Sequence, residues 1–318
     1  MRTVFLDQSS LDRGDIDYSA LDGIAPGWQA YANTDPIDVL ERIQNAEIII
    51  TNKVVLDGDI LSAAPVLRLI CVAATGTNNI DLACAREKNI AVSNARGYAT
   101  PSVVEHVFAL LTSLSRHLND YQQAAVDGRW MQSSQFCVLD KPIAELSGKT
   151  IGIIGYGELG QAVAHVARAF GMHVLISQRA GSQQQKPGRI VLEEMLPQVD
   201  VLSLHCPLDA NTRNLINSRV FELMPAHAIL INTARGGIVN EADLLDALKH
   251  GKIAAAGIDV LHEEPPRHGN LLLNQQLENL IVTPHVAWAS RESRQRLLAE
   301  VVDNISAYRA GQQRNCVG

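Results

Sequence analysis

Three short polar clusters each follow an apolar run in the second half of this sequence, and together they hold an arginine, a carboxylate and a histidine. Arg235 stands in Asn232-Thr233-Ala234-Arg235-Gly236-Gly237. Glu264 stands in Glu263-Glu264-Pro265-Pro266, shortly after Asp259, and His285 in Thr283-Pro284-His285. Taken singly, each has a plainer reading: a surface cation, a solvated loop acid, a histidine satisfied at a strand end. Joint placement after successive strands points elsewhere, because doubly wound sheets hold their ligands at those strand ends. The set also has the parts needed to reduce a 2-keto acid. A guanidinium fork binds a carboxylate and polarises the adjacent keto oxygen, through charge-assisted bonds of about 1.5–3 kcal/mol each; lysine lacks that fork. An imidazolium delivers the proton that the oxygen takes up as hydride arrives, a contribution of ~10²–10⁴-fold, and in oxidation it becomes the base. A carboxylate beside it orients the ring and raises its proton affinity.

A second constellation accounts for the source of hydride. Gly155, Gly157 and Gly160 form G-x-G-x-x-G between the apolar run 150–154 and a helical pattern. In that setting the first glycine permits the tight turn, the second lets backbone approach a pyrophosphate, and the third lets helix and strand pack closely. Outside a strand–loop–helix setting the same glycines would be a weak signal. Past the next strand, where an acid would grip the adenosine ribose, the chain reads Ser177-Gln178-Arg179. Without that acid the site is expected to accept NADPH at least as well as NADH, with Arg179 as a contact to the 2′-phosphate and Ser177 as a hydroxyl donor beside it.

The elements that must position these groups follow from hydrophobic period. Residues 3–6, 47–50, 67–72 and 90–92 read as buried strands. A long amphipathic helix starts after Thr100, with Pro101 at its first position, and its apolar residues run through Val103, Val104, Val107, Phe108, Leu110, Leu111 and Leu114. The rhythm restarts with strands at 150–154, 172–176, 200–204, 228–232, 254–258 and 280–283, helices at 158–170 and 241–250, and a last helix at 290–309. This predicts a dinucleotide-binding domain over 100–287 inserted in a substrate domain of 1–99 plus 288–318. The chain crosses between them near 99–101 and 286–290, the expected hinges of a cleft that closes on substrate. The polar stretch 181–188 reads as an exposed loop.

Composition narrows the partners. The 318 residues exceed one ordinary core, and 27 Lys+Arg against 34 Asp+Glu disfavour nucleic acid or an anionic membrane surface. Five scattered cysteines without a C-x-x-C pair suggest neither disulfides nor a metal site. With no signal-peptide pattern and no membrane-length apolar run, a cytoplasmic protein is expected. His106, His165, His173, His262 and His268 read as structural or solvated. Lys53, after the strand at 47–50, either faces the cleft or is an ordinary solvated lysine at a strand end.

At these residues the sequence resembles the D-isomer-specific 2-hydroxyacid dehydrogenases, over nearly its whole length. The matching pieces are TGTNNID from Thr75, the glycine loop, LHCPLDANT from Leu204, NTARGG from Asn232, GIDV from Gly257, EEPP from Glu263 and TPHVAW from Thr283. The resemblance implies an α/β fold, a Rossmann-type doubly wound parallel sheet inserted in a flavodoxin-like α/β substrate domain. It implies catalytic roles for Arg235, Glu264 and His285, and NAD or NADP as cofactor. Expected dinucleotide contacts are Thr100, Gly155, Gly157, Glu158, Leu159, Gly160, Ser177, Gln178, Arg179, Cys206, Pro207, Thr212, Thr233, Ala234 and Asp259, the last beside the nicotinamide carboxamide. Thr75 and Gly76 would offer N–H groups to the substrate carboxylate, with Lys53, Arg235, His285 and Trp288 around it. Trp288 and the run RGYATPSVVEH from Arg96 look most like the glycerate dehydrogenase and hydroxypyruvate or glyoxylate reductase branch. A homodimer is implied, formed around the long helix. The alternative is a dinucleotide-sensing corepressor, a class that shares fold and site residues but binds peptides.

Overall fold

The computed structural model describes residues 1–182, 186–275 and 277–317, so part of the expected loop at 181–188 lies outside the described residues. The chain divides into two compact units, Met1–Ala99 with Trp288–Gly318, and Thr100–Ala287.

The first unit is a five-stranded parallel sheet. Its strands are β1 (Thr3–Phe5), β2 (Gln29–Ala30), β3 (Ile48–Thr51), β4 (Leu69–Val72) and β5 (Ala91–Ser93), in the order β2-β1-β3-β4-β5. Strands β3 and β4 are buried at every position, which is why their sequences are unbroken apolar runs rather than alternating ones. One face packs Val4, Ile49 and Ile70 on Val39, Ile43 and Leu61. The other packs Phe5, Ile48, Ile50 and Leu69 on Leu297, Leu298, Val301 and Ile305 of the helix Arg291–Arg309. Ser290 caps that helix by accepting the Ser293 N–H. In its first turn Arg294 grips both oxygens of Asp15 at 2.7 Å, and this hydrogen-bonded guanidinium lowers the Asp15 carboxyl to about 2. Strand β2 has no counterpart in the sequence reading, because its two residues are exposed and carry no apolar pattern.

The second unit is a six-stranded parallel sheet of β6 (Thr150–Ile154), β7 (His173–Ile176), β8 (Val201–Leu204), β9 (Ile229–Asn232), β10 (Ala255–Ile258) and β11 (Leu280–Val282), in the order β11-β10-β9-β8-β6-β7. Leu202, Phe221, Leu230, Leu244 and Leu248 are among the residues of its core. The long helix is Thr100–Ser115, and its apolar stripe is buried, with Phe108 stacked on Phe170 at 5.0 Å. It packs on the helix Glu158–Ala169 and on β9 and β10. Its apolar stripe is thus covered within its own unit. Exposed apolar side chains instead gather just downstream, at Leu118, Val126, Trp130, Met131, Phe136 and Leu139. Among the described residues no helix is long and apolar enough to cross a membrane.

Strand order reverses at β6, which pairs β7 on one side and β8 on the other. Ligand crevices of open α/β sheets form at such a switch point. There Gly155 has φ +90°, and a Cβ on it would lie 2.5 Å from the backbone of His205 and Cys206, so only glycine lets the two loops meet. The ring of His205 is fixed by a 2.8 Å hydrogen bond between Nε2 and the Ser203 hydroxyl, while Nδ1 is sealed from solvent without a partner. Burial therefore pushes this histidine down to about 4 from 6.5. Because the folded state resists protonation, the unfolded state binds more protons between those values, and stability falls as pH drops from 6.5 towards 4. The slope reaches at most about 1.4 kcal/mol per pH unit. We expect urea unfolding of the wild type to weaken across that window and His205→Gln to lack this component; parallel pH dependence of the two proteins would refute the assignment.

Candidate active site

The end of β10 leads directly into Asp259, whose carboxylate is 1% exposed. Its Oδ1 accepts the Thr283 hydroxyl at 2.5 Å and the Val286 N–H at 2.9 Å, and its Oδ2 accepts the Ala287 N–H at 2.9 Å. The Asp259 carbonyl accepts the His285 N–H at 2.8 Å. One residue thus fixes the whole turn after β11. Within it His285 has φ +55°, the left-handed region that costs a non-glycine residue about 1–2 kcal/mol. The turn brings His285 Nδ1 within 2.6 Å of Glu264 Oε2, while Glu264 Oε1 accepts the Leu261 N–H at 2.8 Å. That contact sets which ring nitrogen faces the carboxylate.

Arg235 follows β9. The buried Asn232 shapes its loop, donating Nδ2–H to the Arg235 carbonyl at 3.0 Å and accepting the Ala234 N–H at 3.0 Å. A Cβ on Gly236 would sit 2.0 Å from the Leu261 carbonyl group, so this glycine lets the Arg235 loop lie against the loop that carries Glu264. The structure therefore joins Glu264 and His285 directly and links Arg235 to them through Gly236 and Leu261. Arg235 is exposed, with Nη1 donating to the Ala234 carbonyl at 2.7 Å.

Gly157 is the N-cap of the helix Glu158–Ala169, and a Cβ there would meet nothing within 4 Å. A Cβ on Gly160 would strike the Gly155 carbonyl at 2.1 Å. The first turn holds Glu158, hydrogen-bonded to the Thr100 hydroxyl, and the half-buried Leu159. Thr233 Oγ1 is buried without a hydrogen-bond partner among the described residues. Open backbone at a glycine-capped helix start, together with an orphaned hydroxyl beyond β9, suits a dinucleotide diphosphate and its nicotinamide end. Beyond β8, Thr212 donates its hydroxyl to the Pro207 carbonyl at 2.7 Å and closes the turn after Cys206. Burial pushes the Cys206 thiol up to about 11, which leaves it protonated and unreactive at neutral pH.

At the end of β7 the structure changes one expectation. The Ser177 hydroxyl, expected to donate to a ligand, is buried and donates to the Gln178 carbonyl at 2.9 Å. Gln178 is half-buried and Arg179 exposed. A cation the sequence reading did not single out stands beside them: Arg189 donates to the Ser177 carbonyl at 3.2 Å, and its guanidinium lies 4.9 Å above the Tyr156 ring of the glycine loop. Only the return of the chain as a bridge between Ser177 and Ile190 brings it there.

The expected substrate contacts Lys53, Thr75, Gly76 and Trp288 belong to the other unit. Asp7 there accepts the Asn52 and Lys53 N–H groups, which fixes the backbone at Lys53; burial nevertheless raises the Asp7 pKa. Thr75 donates its hydroxyl to the Ala95 carbonyl at 3.0 Å, and Trp288 meets Tyr98 edge-on at 6.4 Å. His106, read from sequence as structural, has Nε2 3.0 Å from the Thr283 hydroxyl.

Residues 108–287 match the NAD binding domain of the D-isomer specific 2-hydroxyacid dehydrogenases. Glycerate dehydrogenase of Methylorubrum extorquens is 45% identical over 99% of this chain and 98% of its own. Hydroxypyruvate reductase of Blautia hydrogenotrophica is 37% identical over 100% and 99%. The crystal structure of an NADPH-dependent glyoxylate/hydroxypyruvate reductase from Sinorhizobium meliloti superposes with a TM-score of 0.83 at 27% identity, covering 100% of this chain and 97% of that one. With identity running through both units, the chain belongs to the D-isomer-specific 2-hydroxyacid dehydrogenase family and is a nicotinamide-dependent oxidoreductase of small hydroxy and keto acids.

Proposed function

We propose that this enzyme interconverts hydroxypyruvate or glyoxylate with the corresponding D-2-hydroxy acid, using Arg235, Glu264 and His285 as its catalytic residues. The observation that carries the reading is the 2.6 Å contact between His285 and Glu264 on a turn held in the left-handed region. A keto oxygen gains negative charge as its carbon accepts hydride, so a proton donor must be in place beforehand. Glu264 holds the His285 ring by Nδ1 and stabilises its protonated form, leaving Nε2–H to protonate the oxygen. In the oxidative direction the neutral ring takes the hydroxyl proton. Arg235 binds the substrate carboxylate through its planar fork and polarises the keto oxygen. The nicotinamide supplies or receives the hydride. Substrate choice is supported by the names of the glycerate dehydrogenase and hydroxypyruvate reductase that match nearly end to end.

For the cofactor, we infer use of NADPH at least as well as NADH. A carboxylate after β7 would face the 2′-phosphate, and one unit-charge pair ~5 Å apart at an effective dielectric of ~20 interacts by ~3 kcal/mol, about a hundredfold in affinity. Gln178 removes that repulsion, and Arg179 and Arg189 add positive charge. The S. meliloti relative is described as NADPH-dependent. We also infer a homodimer that covers the exposed apolar residues of 118–139. Met131 and Phe136 are each 90% exposed, and patches of this kind mark association surfaces.

His285→Gln should lower kcat for hydroxypyruvate reduction by two or more orders of magnitude with dinucleotide affinity unchanged; near wild-type kcat would remove His285 from the mechanism. Wild-type turnover of hydroxypyruvate would also set aside the peptide-binding alternative. Arg235→Lys should be nearly as damaging as Arg235→Ala, and recovery of most of kcat/KM by lysine would reduce Arg235 to a point charge.

Comparison of kcat/KM for the two cofactors in wild type, Gln178→Asp and Arg179→Ala tests the second inference. We expect aspartate to shift preference towards NADH by roughly a hundredfold. A strong wild-type NADH preference, untouched by Arg179→Ala, would overturn it. Light scattering should return twice the chain mass, and Met131→Ser with Phe136→Ser should lower it; a wild-type monomer at assay concentration would refute the dimer.

A further inference from the structure

The turn that carries His285 is gripped from outside as well as by Asp259. Ser102 donates its hydroxyl to the Ala287 carbonyl at 2.7 Å, a contact made in the interior. His106 Nε2 lies 3.0 Å from the Thr283 hydroxyl and 3.5 Å from Asp259 Oδ1. The direction of the first bond follows from proton count. A hydroxyl has one proton, and that of Thr283 goes to Asp259 at 2.5 Å, so the oxygen must accept from His106 Nε2–H. Ser102 and His106 are four residues apart on the helix Thr100–Ser115 and share one face. They hold the two ends, Thr283 and Ala287, of the five residues whose middle is the left-handed His285.

We propose that Ser102 and His106 form a clamp that keeps this turn in its left-handed conformation, making them positioning residues for the proton transfer at His285. A residue at φ +55° relaxes towards ordinary backbone unless its surroundings over-determine it. Asp259 supplies that constraint from the sheet side, and the clamp supplies it from the helix side. Relaxation would draw Nδ1 away from Glu264 and misdirect Nε2. Titratable groups in contact with the turn include Glu264 at His285, and Asp259 and His106 at Thr283. The proposal rests on the reading of His285 as acid and base, and its test separates the two.

Ser102→Ala and His106→Leu should each lower kcat between roughly ten- and a hundredfold, the scale of a catalytic group displaced by about 1 Å. KM for keto acid and the dissociation constant of NADPH, read by fluorescence titration, should change little. The alkaline limb of kcat/KM should shift as the His285–Glu264 contact loosens, and the Nδ1–H proton signal of His285 should move upfield by NMR in the cofactor-free protein. Ser102→Thr and His106→Gln, which keep a donor, should restore most of kcat and the limb. In a His285→Gln background the clamp variants should cost no further kcat. Loss of melting temperature with kcat and the alkaline limb unmoved would overturn the clamp, as would failure of both conservative variants to rescue. Retention of kcat by His285→Gln would defeat the acid–base reading instead; the clamp would then stand or fall on the NMR signal of the Nδ1–H proton, and an unmoved signal would overturn it.

Discussion

A carboxylate taken out of water must find replacement for its hydration, and Asp259 finds it in one short turn. The Thr283 hydroxyl and the Val286 and Ala287 N–H groups all reach it, so the buried group and the turn require each other. Removing the donors would leave a charge inside the protein at a cost of several kcal/mol. Removing the carboxylate would leave the buried Ala287 N–H unanswered. That mutual dependence permits a histidine to sit in strained backbone at the end of β11, where a relaxed turn would point its side chain elsewhere.

Two close backbone approaches complete the arrangement. Gly155 lets the loop after β6 touch the loop after β8, and Gly236 lets the loop after β9 touch Leu261 beyond β10. Neither contact could contain a Cβ. Both lie at the C-terminal ends of parallel strands, where chain segments leave the sheet in the same direction and crowd together. Crowding brings groups from strands far apart in sequence within reach, and the absence of side chains at two positions keeps their loops in contact.

Much of this was legible in the residues. Strands β3, β4, β6, β8, β9 and β10 announce themselves as apolar runs because both their faces are covered. The glycine loop was readable because strand, glycine spacing and helix occur together. What stayed hidden is tertiary. The period that marked the face of Thr100–Ser115 as apolar could not say which surface covers it, and it proved to be the same unit. His106 looked like any helical histidine, since its partner Thr283 is 177 residues away. Arg189 sits at the end of a polar loop with no pattern, and its place over Tyr156 depends on how the chain returns to Ser177. Ser177 itself was assigned to a ligand on residue type, whereas its hydroxyl donates a hydrogen bond to its neighbour's carbonyl.

The order of the chain also bears on its synthesis. One face of the first sheet, with Phe5, Ile48, Ile50 and Leu69, packs on Leu297, Leu298, Val301 and Ile305, which leave the ribosome more than two hundred residues after β5. At about 5–20 residues per second that is an interval of roughly ten to forty seconds. During it the emerging chain carries an apolar sheet face whose covering helix has yet to be made, while the second unit, continuous in sequence, is completed before that helix emerges. The nascent protein therefore passes through a stage with one finished body and one half-built one, a natural substrate for chaperones that bind exposed apolar strands.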